Sequence, residues 1–248
     1  MTTKQTRRIL VWIGSVVLVL ALLVGGCAAY LADDYPADEA AISAFVADLS
    51  VPRSEPTDGV LTYGSTDASV GFIFYPGGKV DFRAYEPLMA ALASKGAFCV
   101  LLQMPFQLAV LDVNAAKGIA EDYPAVDQWY LGGHSLGGSM AASYLKSNSA
   151  DFSGLVLLGS YSTADLSQTP LRVLSLYGSE DRVMNREKYD RYKSNLPAAL
   201  TEIVLEGGCH AGFGMYGAQK GDGVPTVSTE EQILRSADLI FSFMQGEN

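Results

Sequence analysis

Ser135 stands in Gly132-Gly133-His134-Ser135-Leu136-Gly137-Gly138, with an apolar strand-like run (Trp129, Tyr130, Leu131) entering and an apolar helix pattern (Met140 to Leu145) leaving. In that setting Gly-x-Ser-x-Gly reads as a nucleophile elbow, a sharp strand-to-helix turn that holds a serine in strained backbone with its hydroxyl thrust away from the sheet. Gly133 and Gly137 fall where a Cβ would collide with neighbouring backbone. A helix beginning at the serine turns its first free N–H groups and the positive end of its dipole toward any anion that forms beside Oγ. The chemistry such a residue performs is acyl transfer.

A serine nucleophile requires a base, and the chain has two histidines. His134 occupies the variable position inside the elbow, where its ring points away from the neighbouring hydroxyl. The base therefore falls to His210, in the glycine-flanked loop Glu206-Gly207-Gly208-Cys209-His210-Ala211-Gly212 after the strand-like run Thr201 to Leu205. A carboxylate must orient the imidazole. Directly after the strand-like Leu171 to Tyr177, Gly178-Ser179-Glu180-Asp181-Arg182 offers Glu180 and Asp181. A second oxyanion donor is expected from Pro76-Gly77-Gly78-Lys79, which follows the strand-like Val70 to Tyr75. The backbone N–H of Gly78, or of Lys79, would join that of Leu136, because Pro76 has no N–H to give.

Four segments together carry a resemblance: Phe74 to Asp81, Gly133 to Gly138, Tyr177 to Asp181, and Gly208-Cys209-His210-Ala211-Gly212-Phe213-Gly214. They look like the α/β-hydrolase family often called fold-5, and they span most of residues 60–245. The resemblance implies a hydrolase of carboxylic esters or thioesters with a serine triad in the chain order Ser135, Asp181, His210. It implies Asp181 over Glu180, strand-Gly-x-x-Asp being the acid turn of that fold. The size resembles that of dienelactone hydrolases, but those carry cysteine where this chain has Ser135, a departure that argues against lactone chemistry. Many relatives insert a helical cap before the acid strand; here only Ser160 to Pro170 are available, too few for one. The expectation is an open, shallow site rimmed by Phe106, Tyr161, Phe213 and Met215, suited to an acyl or aryl group of modest size. An acyltransferase or a catalytically silent binding protein on the same scaffold is the alternative.

The elements expected to position these groups alternate along the chain. Strand candidates are Val60 to Tyr63, Val70 to Tyr75, Phe98 to Met104, Trp129 to Leu131, Leu155 to Gly159, Val173 to Tyr177 and Glu202 to Leu205. Helices are expected between them, including Tyr85 to Lys95, stopped by Gly96, and Glu231 to Met244, opened by the capping pattern Ser228-Thr229-Glu230-Glu231. The pattern is that of an α/β fold, a mostly parallel sheet with helices on both faces. With 248 residues, 49% of them hydrophobic, the chain suits one large domain over residues 59–248, led by a linker and helix over 32–58.

Residues 9–31 contain no charge and as a helix would span roughly 35 Å, more than the roughly 30 Å a bilayer core requires. Residues 1–8 form a basic tail with Lys4, Arg7 and Arg8, while Asp33, Asp34, Asp38 and Glu39 follow the apolar run. The positive-inside rule puts the tail in the cytoplasm and the hydrolase outside the cell membrane. Val24-Gly25-Gly26-Cys27 also fits lipoprotein processing with lipidation at Cys27, although the apolar run continues to Leu31, as in an uncleaved anchor. Cys99 reads as core, and Cys209-His210 has no further ligands at metal-binding spacing, so no disulfide framework, metal or cofactor is called for. A net charge of −10 speaks against nucleic acid; the partners expected are a small ester or acyl substrate and, through the N-terminal helix, the membrane.

Overall fold

The computed structural model describes residues 3–54 and 57–247. They divide into two compact units, Met1–Asp34 and Tyr35–Asn248. The first is a single helix, α1 (Thr3–Ala32). Within it Thr3–Gly26 has a mean hydropathy of 2.7 and no buried share, long and apolar enough to cross a membrane and equally what a signal sequence shows. The side chain of Cys27, the alternative lipidation position, lies outside the described residues.

The second unit is built on seven strands: β1 (Val60–Tyr63), β2 (Val70–Tyr75), β3 (Phe98–Leu102), β4 (Gln128–His134), β5 (Gly154–Leu158), β6 (Arg172–Gly178) and β7 (Leu200–Leu205). Their order in the sheet is β1-β3-β2-β4-β5-β6-β7, with only β1 antiparallel to its neighbour. The helices are α2 (Glu39–Leu49), α3 (Glu86–Ser94), the single turn α4 (Ile119–Asp122), α5 (Leu136–Asn148), α6 (Arg186–Tyr192) and α7 (Thr229–Gln245).

Strand periodicity divides the core. Phe72 and Phe74 of β2 face one side with Tyr130, Val156, Leu158, Leu174 and Leu176, under α3 and α7. Ile73 and Tyr75 face the other with Trp129, Leu131, Leu155, Leu157 and Val173, under α5. Because both faces are covered, the central strands read as continuous apolar runs without polar alternation, as parallel strands do. Each fully buried side chain of Leu or Phe size contributes about 1.5–3 kcal/mol relative to exposure, so two such layers make a rigid platform for the loops at the strands' carboxyl ends.

The helix limits follow their local chemistry. α3 stops where Gly96 takes φ 107°, and α7 starts where the Ser228 hydroxyl accepts the Glu231 N–H at 3.1 Å. Strand β4 runs on to His134, further than its apolar pattern suggests, because Gly132 and Gly133 still pair with β2 and β5.

Candidate active site

Ser135 joins β4 to α5 with φ 52° and ψ −120°. A non-glycine residue at such angles costs on the order of 1–3 kcal/mol and persists only where the surroundings enforce it. Here they do. The Ser135 N–H donates to the Leu158 carbonyl at 2.9 Å, and the Ser135 carbonyl accepts from the Ser160 hydroxyl at 2.7 Å. A Cβ on Gly137 would collide with the carbonyl of Tyr75, and one on Gly133 with the backbone of Gly137 and Gly138, so the elbow admits no larger residue at either place.

His210 and Asp181 meet across two loops, Nδ1 to Oδ2 at 2.8 Å, with each side chain 1% exposed. The other carboxylate oxygen of Asp181 accepts the N–H groups of Val183 (2.9 Å) and Met184 (2.8 Å), which fixes its rotamer. An ionised carboxylate can only accept, so Nδ1 carries the proton and Nε2 is left as the acceptor. Nε2 is buried without a hydrogen-bond partner, and in this conformation the Ser135 hydroxyl is not bonded to it. Glu180 takes no part in this pair; its nearest cation is Arg182 at 4.0 Å. Of the two carboxylates that the sequence left open, Asp181 is the one beside the imidazole.

Gly159, which follows β5, lies against this pair. Its φ is +51°, and a Cβ there would stand 2.9 Å from His210 Nδ1 and 3.1 Å from Asp181 Oδ2. The absent side chain leaves the space the acid–base pair occupies.

The Pro76–Lys79 turn sorts its own donors. The Gly77 N–H is taken by the Tyr85 hydroxyl (3.1 Å) and the Lys79 N–H by the Gln107 carbonyl (2.8 Å). Gly78 is left as the residue of that turn whose N–H is not engaged among the described residues, and its Cα faces the Leu136 side chain. Leu136 opens α5, where N–H groups have no intrahelical acceptor.

His134 lies beneath His210, ring centroids 4.4 Å apart. Its Nδ1 is 2.8 Å from the Tyr85 hydroxyl, which also accepts the Gly77 N–H. Burial, together with the nearby His210, lowers its pKa well below the ordinary value, so it stays neutral. Cys209, next to the candidate base, is driven the other way: burial and then Asp222 raise its thiol to about 11, which suits an inert core residue.

Asp222 gave no sequence signal, since its loop has neither strand nor helix periodicity. Its carboxylate accepts the N–H groups of Ala211 (2.8 Å), Gly223 (2.8 Å) and Arg182 (3.3 Å), so it ties the acid turn to the histidine loop. Burial pushes its pKa up, and these donors with the N–H of His210 outweigh that, holding it below the usual carboxylate range.

Two of the four expected rim residues are not at a rim. Phe213 is 0% and Met215 4% exposed; Phe213 packs its ring 5.5 Å from that of His134, and Met215 exchanges backbone bonds with Ala84 and Asp38. Both sit in the core: the short 3₁₀ turn Ala211–Phe213 carries Phe213 inward, and the backbone bonds to Ala84 and Asp38 hold Met215 there. Tyr161 is partly buried and stacks on Tyr192, while Phe106 is 69% exposed. Among the described residues no cluster of three or more His, Cys, Asp or Glu side chains is placed to hold a metal ion.

Residues 71–234, from β2 into α7, match the model of the alpha/beta hydrolase family, a span that includes Ser135, Asp181 and His210. No curated protein matches the chain. Among solved structures, a predicted CIB-like hydrolase from Thermoplasma acidophilum is similar with a TM-score of 0.54 at 12% identity, over 78% of this chain and 99% of that one. MGS-MChE2, an alpha/beta hydrolase enzyme from the metagenome of sediments from the lagoon of Mar Chica, Morocco, is similar with a TM-score of 0.57 at 13% identity, over 79% and 99%. At such identities the likeness is one of fold.

Proposed function

The chain belongs to the alpha/beta hydrolase family, and on that premise we propose that it is a serine hydrolase of carboxylic esters or thioesters, with Ser135 as nucleophile, His210 as base and Asp181 as the acid that orients it. The observation that carries this reading is the buried His210–Asp181 bond of 2.8 Å, which leaves Nε2 as an unpartnered acceptor on a ring 4.4 Å from that of His134, the residue that precedes Ser135 in the elbow.

In this mechanism Nε2 of His210 takes the Ser135 proton as Oγ attacks the acyl carbon. The hydrogen bond between them is made on arrival of substrate, as catalytic hydrogen bonds often are. The N–H groups of Gly78 and Leu136 stabilise the tetrahedral oxyanion; one such donor contributes about 2.7–4 kcal/mol to the barrier reduction. The imidazolium, held by Asp181, then gives its proton to the leaving alcohol or thiol. Water repeats the sequence on the acyl-enzyme and frees the acid.

The same reading makes α1 an uncleaved anchor, with Lys4, Arg7 and Arg8 on the cytoplasmic side and residues 35–248 outside. A mature mass that includes residues 1–26 supports the anchor; their loss would replace it with a processed lipoprotein or a secreted domain.

The decisive experiment is labelling with a fluorophosphonate together with p-nitrophenyl acetate hydrolysis by wild type and Ser135→Ala. Labelling is expected at Ser135 alone, and the substitution should lower kcat by several powers of ten, up to roughly 10⁶. Wild-type rates in the alanine variant would end this reading.

A further inference from the structure

In the unit 35–248, six large apolar side chains are exposed among the described residues, and three of them lie in one short loop after β3: Phe106 (69%), Val110 (52%) and Leu111 (56%). Scattered exposed apolar residues are ordinary, but a cluster marks a contact surface. This loop is not loose. Met104 and Ala109 are buried at its base, at 3% and 0% exposure. Phe106 and Gln107 both hold positive φ, 50° and 57°, a conformation that bulky residues avoid. The loop is thus fixed in a shape that keeps its apolar tips in solvent.

Two hydrogen bonds connect this loop to the point where the chain leaves α1. The Gln107 carbonyl accepts the Lys79 N–H at 2.8 Å, and the Lys79 carbonyl accepts the Tyr35 N–H at 2.7 Å. Tyr35 also pairs in parallel with Val80 and receives the Lys220 N–H on its hydroxyl. Asp33 and Asp34 alone lie between Tyr35 and Ala32, where α1 ends. Three peptide units reach at most about 11 Å. If α1 spans a bilayer, the lipid–water boundary is within roughly 15 Å of Tyr35, which is hydrogen-bonded to Lys79, and Lys79 in turn to the apolar loop at Gln107.

We propose that the loop 105–111 rests in the lipid–water interface, so that the Ser135 site opens at the membrane surface and takes ester substrates whose acyl chains reside in the bilayer. The inference rests on the reading of α1 as an anchor and of Ser135 as nucleophile. The occupant is lipid because the chain enters this domain at Tyr35, three residues after α1 ends at Ala32, and Tyr35 is linked to this loop by the hydrogen bonds through Lys79. The chain is acidic, at −10, with Asp112 adjoining the loop, so the contact is apolar, and anionic lipid does not strengthen it.

The test uses the full-length chain in phosphatidylcholine vesicles. In a Cys27→Ser background, Val110→Cys carries an environment-sensitive nitrobenzoxadiazole label, and Val224→Cys, at a residue 82% exposed on a different loop, carries the same label as reference. The position-110 label should emit to the blue of the position-224 label and be quenched by lipids spin-labelled in the acyl chain. Emission at 110 equal to that at 224, without quenching, overturns the proposal. The unlabelled Val110→Asp/Leu111→Asp variant should lose about tenfold or more in hydrolysis of a long-chain ester carried in vesicles, while p-nitrophenyl acetate turnover stays within about twofold. Equal loss on both substrates would also refute it. Fluorophosphonate labelling in the same samples separates the two readings. A quenched 110 label on a chain whose Ser135 does not react keeps the interface and removes the nucleophile. A reactive Ser135 with 110 in water does the reverse, and a mature mass lacking residues 1–26 removes the anchor and the interface together.

Discussion

Gly159→Ala separates the geometry of the acid–base pair from the stability of the fold. The new methyl would stand 2.9 Å from His210 Nδ1 and 3.1 Å from Asp181 Oδ2, where ordinary contact begins at 3.4 Å. One partner must therefore retreat by about 0.5 Å, enough to stretch a 2.8 Å hydrogen bond beyond good geometry. Misplacing a catalytic group by about 1 Å costs on the order of 10²-fold, and loss of the orienting acid about 10⁴ in kcat on a serine triad. Half an ångström should then lower kcat by about 10- to 100-fold, with a smaller change in KM. The backbone contributes separately: alanine at φ +51° costs about 1–2 kcal/mol, or roughly 2–8 °C in Tm for a domain of this size.

Gly118→Ala measures that backbone cost alone, since Gly118 has φ +85° and open space around its Cβ position. Its Tm should fall comparably while its kcat for p-nitrophenyl acetate stays at the wild-type value. If Gly159→Ala retained kcat within about twofold while losing no more Tm than Gly118→Ala, the claim that the Gly159 void seats the acid–base pair would be refuted.

Three further outcomes follow from the same contacts. Asp181→Asn should cut kcat by up to about 10⁴, whereas Glu180→Gln should leave it nearly unchanged; comparable losses in steady-state assays of the two would reverse the assignment. His134 is buried with a lowered pKa, so at pH values between that pKa and about 6.5 the unfolded chain binds the extra proton, and stability must fall as pH drops through this window, by up to about 1.4 kcal/mol per pH unit. Urea unfolding of His134→Gln between pH 5 and 6.5 should show that slope removed, whatever offset the lost Tyr85 bond adds. Asp222 has linkage of the same sign in a more acidic window: its carboxyl is held low, so the stability it gives is present above about pH 4 and lost as pH falls through its folded value. Asp222→Ala should lower stability by about 1–3 kcal/mol at pH 7 and slow turnover, while Asp222→Asn, which keeps one acceptor oxygen, should lose less of each.

Sequence and structure agree where a residue's demand is local. The elbow was legible because its Gly-x-Ser-x-Gly spacing, with a strand run before and a helix run after, lies within a few residues of Ser135, although the carbonyl of Tyr75 that forbids a Cβ at Gly137 comes from β2. Strands β2, β3 and β5 were legible because both faces of the sheet are covered there, so each reads as an unbroken apolar run. Asp181 and His210 could be named as candidates from chain position, but their bond joins loops 29 residues apart, and neither carboxylate of the acid turn announces which will face the imidazole. Phe213 and Met215 show the converse limit. An aromatic and a methionine shortly after the histidine look like rim residues until the turn Ala211–Phe213 and the backbone bonds of Met215 to Ala84 and Asp38 place them in the core.

The residues that reasoning from sequence passed over share a property. Gly159 acts by the absence of a Cβ, Asp222 through backbone N–H groups of two other loops, and His134 by packing its tilted ring against that of His210 while bonded to Tyr85. None has a pattern in its own neighbourhood, because the group each one serves is brought to it by the sheet. The site is therefore a triad of candidates within a supporting layer, and that layer decides whether Nε2 of His210 points to Ser135 with the tolerance of a fraction of an ångström that proton transfer demands. If so, substitutions at Gly159 and Asp222 should move kcat far more than KM, although neither residue touches substrate.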